Sequence, residues 1–197
     1  MSTTIIDLIR HGEPEGGRAY RGNTIDDPLS EKGWQQMWDA IGNDAPWQTI
    51  ISSPMKRCLA FSMALADKHN LEVSRIESFK EVGFGQWEGR TPDQIKSENM
   101  QQYADFYQDP VNLRPPGAEP LDKFIARVST AYSRVVAEHR GKHILIVAHA
   151  GVIRAILCHV LNAPAKSMYH IKIETAGISR ILDDAIQIQI QFLNRNL

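Results

Sequence analysis

The sequence has 197 residues, of which 43% are hydrophobic and 23% are charged, and its formal net charge is -1. A chain of this composition can bury a substantial core, so disordered and fibrous classes are excluded, and we predict one globular domain over residues 1–197. A charge so close to zero argues against nucleic acid or an anionic membrane as the main partner.

The N-terminal residues and the two cysteines indicate the cellular compartment of the protein. No basic segment precedes the apolar run at residues 5–9, which is too short for a signal peptide or a membrane span. Cys58 and Cys158 have no metal-ligand spacing between them, and neither belongs to a CxxC pair. We therefore expect a cytoplasmic protein with reduced, structural thiols.

The first part of the chain alternates predicted strands and helices. Residues 5–9, IIDLI, are a short apolar run typical of a buried strand. Residues 29–41 have apolar side chains at helical spacing, and Ser30 is placed to cap that helix. Residues 49–52 suit a second strand, after which Ser53 can cap the next helix.

The helices that follow are predicted from their start and stop signals. Pro54 fits the first position of the second helix. Three of its side chains would face the core: Leu59, Met63 and Ala66. Thr91 opens one further helix over residues 91–107, whereas the proline-rich residues 112–120 predict a loop.

The second half contains the clearest helix, over residues 121–140, which Gly141 ends. A strand at residues 143–149 and a helix at residues 151–161 come next. Three strand-like segments then complete the chain: residues 169–174, 178–182 and 186–192. The pattern predicts a three-layer α/β/α sandwich, with a mainly parallel sheet and antiparallel edge strands.

Two of the predicted strands end in the same way. His11 follows the first strand and His149 follows the strand at residues 143–149, each with a glycine close behind. One histidine at a strand end usually only satisfies nearby backbone groups. Because the carboxyl ends of parallel strands line one crevice, two such histidines indicate a site.

Arginines and a glutamate extend this candidate site. Arg10 adjoins His11, and Arg57 lies in the first turn of a predicted helix, where a guanidinium fork suits phosphate. The glycine-rich residues 80–89 supply Glu81 as a candidate acid. Glu88 in the same segment is better explained as an exposed or structural carboxylate.

Five ordered blocks resemble the histidine phosphatase superfamily, also called the phosphoglycerate-mutase-like family. They are RHGE at residues 10–13, DDPLSEKG at 26–33, SSPMKRC at 52–58, KEVGFGQWEG at 80–89 and AHAG at 148–151. One RHG triplet would carry little weight, but five blocks in the family's order are a specific match. The resemblance implies the phosphoglycerate-mutase-like fold.

The resemblance also implies catalytic and binding roles. His11 would be the nucleophile that becomes phosphohistidine, and Glu81 would protonate the leaving alkoxide and then activate water. Arg10, Arg57 and His149 would hold the phosphoryl oxygens. Cationic donors around a phosphoryl group can stabilise its transition state without a metal, and neither a metal nor a cofactor is predicted.

Departures from the family pattern concern the leaving group. Mutases of the family usually carry an asparagine where this chain has Gly17, and we expect Asn23 to take over that substrate contact. Gly16, Gly17, Arg18, Tyr20 and Arg21, with the loop at residues 112–120, are candidates to border the entrance. Ordinary surface loops explain them equally well.

The predicted function is hydrolysis of a small-molecule phosphate monoester, as in the compact bacterial branch that includes the α-ribazole-5'-phosphate phosphatases. The alternatives are a cofactor-dependent phosphoglycerate mutase, a phosphoprotein phosphatase, a regulator that binds phosphorylated ligands, and a metal-dependent hydrolase. The predicted partner is the phosphate ester, without nucleic acid or membrane, and a homodimer is left open beside a monomer.

Overall fold

The computed structural model describes residues 2–42 and 45–195. Its six strands form one sheet, and they are β1 (Thr4–Arg10), β2 (Thr49–Ser52), β3 (Glu72–Arg75), β4 (His143–Ala148), β5 (Ile178–Asp183) and β6 (Ile188–Arg195). Six α-helices accompany them: α1 (Glu31–Ile41), α2 (Lys56–His69), α3 (Pro92–Glu98), α4 (Met100–Gln108), α5 (Leu121–Glu138) and α6 (Ala150–Val160).

The strand order is β3-β2-β4-β1-β5-β6. β1 and β2 both pair in parallel with β4, and β2 pairs in parallel with β3. β5 and β6 add antiparallel strands at one edge. The sheet is therefore mainly parallel with antiparallel strands at an edge, which confirms the predicted fold class.

Two buried apolar clusters show that helices cover both faces of the sheet. Ile144 and Ile146 of β4 pack on one face with residues of α5 and α6. Leu145 and Val147 point to the other face and pack with α1 and α2. Because side chains alternate along a strand, a fully apolar β4 serves both layers and gives the three-layer sandwich.

Two predicted helix starts have different outcomes. Ser30 caps α1 as predicted, since its side chain accepts a hydrogen bond from the Gly33 N–H. Helix α2 begins at Lys56 with Met55 as N-cap, so the prediction for Ser53 and Pro54 was wrong. The Ser53 hydroxyl instead lies 2.7 Å from Nε2 of His149, which follows the neighbouring strand β4.

The buried face of α2 is also rotated from the prediction. Its core side chains are Arg57, Cys58, Phe61, Ser62, Leu65 and Ala66. Met63 is 55% exposed, so its assignment to the core was wrong, and Leu59 is only partly buried. The apolar periodicity misled because a polar arginine and serine occupy the buried stripe.

The helix predicted over residues 91–107 is two helices. Asn99 separates α3 from α4 with a non-helical backbone, and its side chain accepts a hydrogen bond from the Gln102 N–H at 2.9 Å. Thr91 does open α3, through a capping box with Gln94. An asparagine that caps a new helix therefore interrupts a continuous helical pattern.

The C-terminal third also departs from the prediction in two places. Residues 169–174 were predicted as a strand, but a 3₁₀ helix at Ala165–His170 and a connecting segment occupy this region. The last strand runs over Ile188–Arg195 and leaves Ile186 in the preceding turn, 90% exposed. Strand β3 was not predicted, because its mainly exposed residues carry no apolar signal.

Within the described ranges, no helix is both long and apolar enough to cross a bilayer.

Candidate active site

The register between β1 and β4 brings the two strand-end histidines together. Arg10 pairs with Ala148 in the parallel ladder, and the His11 N–H donates to the Ala148 carbonyl at 3.0 Å. The rings of His11 and His149 lie edge to face with centroids 5.2 Å apart. The sheet edge predicted from the sequence is therefore where the candidate site forms.

The His11 ring has a defined tautomer. Its Nδ1 lies 2.7 Å from the Gly12 carbonyl oxygen, which can only accept, so Nδ1 carries the proton. Nε2 is then an unprotonated nitrogen with a free lone pair. Burial, followed by the nearby charges of Arg57 and Arg10, holds the pKa of His11 well below 6.5. The ring is a neutral imidazole suited to nucleophilic attack.

The loop that carries His11 is packed tightly against the start of α1. The Glu13 carbonyl accepts hydrogen bonds from the Ser30 N–H at 3.0 Å and from the Ser30 hydroxyl at 2.9 Å. A Cβ on Gly12 would lie 2.1 Å from the Gly33 carbonyl oxygen. These contacts fix the RHG turn and leave no room for a side chain at Gly12.

We expect Gly12→Ala to lower the free energy of unfolding by about 2–3 kcal/mol, because the backbone of Gly33 would have to move. Gly17→Ala is the matched control, since a Cβ there meets no atom within 4 Å. Its positive φ of 69° should cost about 1 kcal/mol. Urea denaturation compares the two variants, and equal losses would contradict the steric explanation.

Two arginines flank His11. Arg10 ends β1, and one of its terminal nitrogens donates to the Ile173 carbonyl at 2.8 Å. Arg57 lies in the first turn of α2, is 1% exposed, and donates to the carbonyls of Ile25 and Gly22 at 3.0 and 3.3 Å. The Nε atoms of both arginines are buried without a hydrogen-bond partner among the described residues. Both arginines line one cavity together with His11.

Glu81, on the loop before α3, lines the same cavity as Arg10, His11 and Arg57. Its carboxylate accepts hydrogen bonds from the Val82 N–H at 2.9 Å and the Gly151 N–H at 3.1 Å, which ties it to the start of α6. A Cβ on Gly151 would lie 2.2 Å from a Glu81 carboxylate oxygen. The glycine of the AHAG block therefore allows the close approach of this carboxylate to the helix.

His149 is adjacent to His11 but lies behind it. Its side chain is fully buried, with Nε2 2.7 Å from the Ser53 hydroxyl. His149 is not among the residues that line the cavity formed by Arg10, His11, Arg57 and Glu81. Burial and the charge of Arg57 hold the pKa of His149 well below 6.5, so this ring is also uncharged.

Two buried, uncharged histidines make stability depend on pH. Because the unfolded chain protonates near 6.5 while folded His11 and His149 resist protonation, the unfolded state binds more protons below that pH. Their stabilising contribution is complete above pH 6.5. It should fall as the pH decreases towards their folded pKa values, by up to about 1.4 kcal/mol per pH unit for each histidine.

Urea denaturation at about pH 7.5 and about pH 5.5 tests this dependence, with His149→Asn as the comparison. The variant should lose less stability on acidification than the wild type does. An identical loss in both proteins would contradict an uncharged, buried His149.

The cavity has a volume of about 530 Å³, and its lining shows which residues predicted for the entrance lie there. Gly17, Arg18, Tyr20 and Arg21 line it, whereas Gly16, the remaining candidate of that stretch, does not. The loop at residues 112–120 is not part of its lining.

Asn23 lies at a second, smaller cavity together with Glu88 and Glu119, so the structure does not bring it to the candidate site. Glu88 accepts hydrogen bonds from the N–H groups of Thr24 and Phe84 at 3.2 and 2.8 Å, which is the structural contact expected for it. A Cβ on Gly22 would collide with Glu88, so this part of the chain is held by packing.

Sequence reasoning missed two arginines that shape the site. Arg127 of α5 donates to the carbonyls of Ser78, Lys80 and Glu81 at 2.7, 2.9 and 3.1 Å, and it also pairs with Glu119. Arg154 of α6 lines the cavity. Both occupy helical positions that read as ordinary surface arginines, and only the fold reveals what they contact.

Comparison with known proteins identifies the family to which this chain belongs. A family model described as the histidine phosphatase superfamily (branch 1) matches residues 6–196. The adenosylcobalamin/α-ribazole phosphatase of Salmonella typhimurium is 29% identical over 178 residues, which cover 88% of each chain. A bifunctional protein of Mycobacterium tuberculosis is 28% identical over 180 residues, or 89% of this chain. The chain spans about half the length of that relative, 49%.

The fold agrees with these sequence relationships. The crystal structure of the α-ribazole phosphatase from Shigella flexneri superposes with a TM-score of 0.84 at 25% identity, covering 98% of this chain and 96% of that one. Together, the family match over residues 6–196 and the common architecture confirm the resemblance predicted from the five sequence blocks. The chain belongs to the histidine phosphatase superfamily, branch 1.

Proposed function

We propose that the chain hydrolyses small-molecule phosphate monoesters through a covalent phosphohistidine at His11. The observation that carries the proposal is that Arg10, Arg57 and Glu81 line one cavity together with an uncharged His11. Two guanidinium groups beside one imidazole suit the oxygens of a phosphoryl group. The cavity volume of about 530 Å³ is in the range of small-molecule sites.

In the first step, the lone pair of His11 Nε2 attacks phosphorus while the bond from phosphorus to the ester oxygen breaks. Glu81 donates its proton to the departing alkoxide, so the alcohol leaves neutral. Arg10 and Arg57 bind the phosphoryl oxygens, on which negative charge is spread in the transition state. The Gly12 carbonyl holds the Nδ1 proton and stabilises the positive charge that develops on the ring.

In the second step, Glu81 takes a proton from water, and the resulting hydroxide attacks phosphorus. The bond from phosphorus to Nε2 breaks, inorganic phosphate leaves, and His11 returns to its neutral form. Glu81 is thereby reprotonated for the next turnover. The predicted contact of His149 with a phosphoryl oxygen would require side chains to move, because His149 is fully buried, contacts the Ser53 hydroxyl and does not line the cavity.

The names of the relatives and one residue of the cavity wall suggest candidate substrates. α-Ribazole 5'-phosphate is one candidate, because the Salmonella and Shigella relatives are named for activity on α-ribazole. The main alternative reaction is a phosphoglycerate mutase primed by 2,3-bisphosphoglycerate. Gly17, which borders the cavity where family mutases usually carry asparagine, favours hydrolysis.

The test is a phosphatase screen of the purified chain on 4-nitrophenyl phosphate, α-ribazole 5'-phosphate and 3-phosphoglycerate, with and without 2,3-bisphosphoglycerate and EDTA. No group of three or more metal-ligating side chains occurs in the part of the chain that the structure describes. We expect release of phosphate that persists in EDTA. Tight binding of phosphate esters without any turnover would contradict the proposal and favour a binding protein.

A further inference from the structure

A third guanidinium borders the cavity, beyond the two that flank His11. Arg154 follows Ala150 by one turn of α6, and its Nε donates to the Ile171 carbonyl at 2.7 Å. Its Cζ lies 5.8 Å from the centre of the Tyr169 ring. Neither terminal nitrogen of Arg154 has a hydrogen bond or an ion pair with any residue in 2–42 or 45–195. The group is held in orientation and keeps two donors free.

Arg154 and Arg10 are anchored to one short segment. Arg10 donates to the Ile173 carbonyl, two residues after the Ile171 carbonyl that binds Arg154. Burial lowers the pKa of Arg10, and after an opposing contribution from Glu81 the charge of Arg154 lowers it further. Two guanidinium groups that repel each other are therefore fixed at the same wall of the cavity.

The phosphoryl group does not account for this third arginine. In the proposed mechanism, Arg10 and Arg57 already bind the phosphoryl oxygens, and both line the cavity beside His11. The other cations at the wall are either paired or exposed. Lys172 is paired with Glu174 and Arg21 with Asp27, whereas Arg18 is exposed to solvent. Arg154 lies one turn after Gly151, whose N–H binds Glu81, and in the proposed mechanism Glu81 protonates the leaving group. Arg154 thus provides an oriented charge, without an ion pair among the described residues, close to the residue that contacts the leaving group.

We propose that Arg154 binds a carboxylate of the leaving group, so that the preferred substrates are phosphate monoesters that carry a carboxylate near the ester carbon. This inference rests on the proposed phosphatase function and narrows it to a substrate class. A guanidinium fixed through Nε presents its two terminal nitrogens as a fork, which matches the two oxygens of a carboxylate.

Two matched pairs of substrates test the inference. 3-Phosphoglycerate and glycerol 3-phosphate differ in a carboxylate against a hydroxymethyl group, and phosphoserine and phosphoethanolamine differ in a carboxylate against hydrogen. We expect wild-type kcat/KM to be higher for the carboxylate-bearing member of each pair by about 10- to 100-fold. 4-Nitrophenyl phosphate reports whether the phosphatase chemistry itself is present.

Variants assign the preference to its source. Arg154→Gln should reduce the ratio of kcat/KM within each pair by about 10- to 100-fold, and Arg154→Lys should give an intermediate ratio because it keeps the charge without the fork. Lys172→Gln is the matched control, and it should keep most of the preference because Glu174 already neutralises that lysine.

Three results would overturn the inference while leaving the phosphatase proposal intact, provided that 4-nitrophenyl phosphate is hydrolysed. The first is a wild type whose kcat/KM shows no preference for the carboxylate-bearing esters. The second is an Arg154→Gln variant whose kcat/KM falls equally on both members of a pair. The third is a preference for α-ribazole 5'-phosphate, which has no second anionic group. A wild type that hydrolyses none of these esters would overturn the proposed function and this inference with it.

Discussion

Replacing His11 with alanine should reduce kcat on 4-nitrophenyl phosphate by about 10⁴-fold or more. The variant removes the Nε2 lone pair that attacks phosphorus in the proposed mechanism, so the displacement would have to proceed by direct attack of water. The backbone N–H of residue 11 would still bond to the Ala148 carbonyl, because this bond does not involve the side chain. Arg10 and Arg57 would continue to bind the ester, and phosphate binding should survive the loss of turnover.

His159→Ala is the control for this experiment. His159 is an exposed histidine on α6 that contacts the Ser133 hydroxyl, and it lies outside the cavity lining. This variant should retain wild-type kcat. Thermal denaturation of both variants checks that they remain folded. A His11→Ala protein with turnover similar to that of the wild type would contradict nucleophilic catalysis.

Glu81→Gln should have an effect that depends on the leaving group. An alkoxide leaves poorly without a proton, so the rate of phosphoryl transfer from an alkyl phosphate should fall by about 10²- to 10⁴-fold. Nitrophenolate leaves without protonation, so phosphorylation of His11 by 4-nitrophenyl phosphate should remain fast. The second step lacks its base, and rapid-mixing measurements should show a burst of nitrophenolate followed by slow steady turnover.

Glu77→Gln provides the control, because Glu77 is an exposed residue of the 3₁₀ helix just before Glu81 and pairs only with Lys80 among the described residues. It should leave both substrates unaffected. If Glu81→Gln slowed the burst on 4-nitrophenyl phosphate as much as it slowed alkyl phosphates, the carboxylate would be positioning the site instead of transferring a proton.

The location of the candidate site could be predicted from the sequence because several of its residues follow a recognisable structural signal. His11 and His149 end apolar strands, and the parallel register of β1 with β4 makes strand ends neighbours. Arg57 lies in the first turn of a helix that starts close to its predicted position. In each case, a local pattern and one topological rule were sufficient.

The remaining features depend on contacts between segments that are far apart in the chain. Arg127 holds the Glu81 loop from a helix nearly fifty residues later, and nothing in the helical pattern of α5 distinguishes it from a surface arginine. Residues 169–174 were predicted as a strand because apolar and polar residues alternate in them. In the structure, carbonyls of this segment accept hydrogen bonds from the guanidinium groups of Arg10 and Arg154.

The prediction for Asn23 had a different weakness. It assumed that a substrate contact missing at Gly17 would be replaced nearby in sequence. The structure instead places Gly17 at the larger cavity and Asn23 at the smaller one. Proximity in sequence gave no information here, because Arg57 and Glu88 fix the path of the intervening loop through Gly22 and Thr24.

The central claim is a covalent intermediate on His11, and rapid alkaline quenching tests it most directly because phosphohistidine survives in base. The wild type should be mixed with 4-nitrophenyl phosphate, quenched during turnover, digested and mapped by mass spectrometry. We expect one phosphoryl group on the peptide that contains His11, attached at Nε2 because Nδ1 is engaged by the Gly12 carbonyl. Sustained turnover with no phosphorylated His11 peptide, in wild type or in the slowly hydrolysing Glu81→Gln variant, would contradict the account.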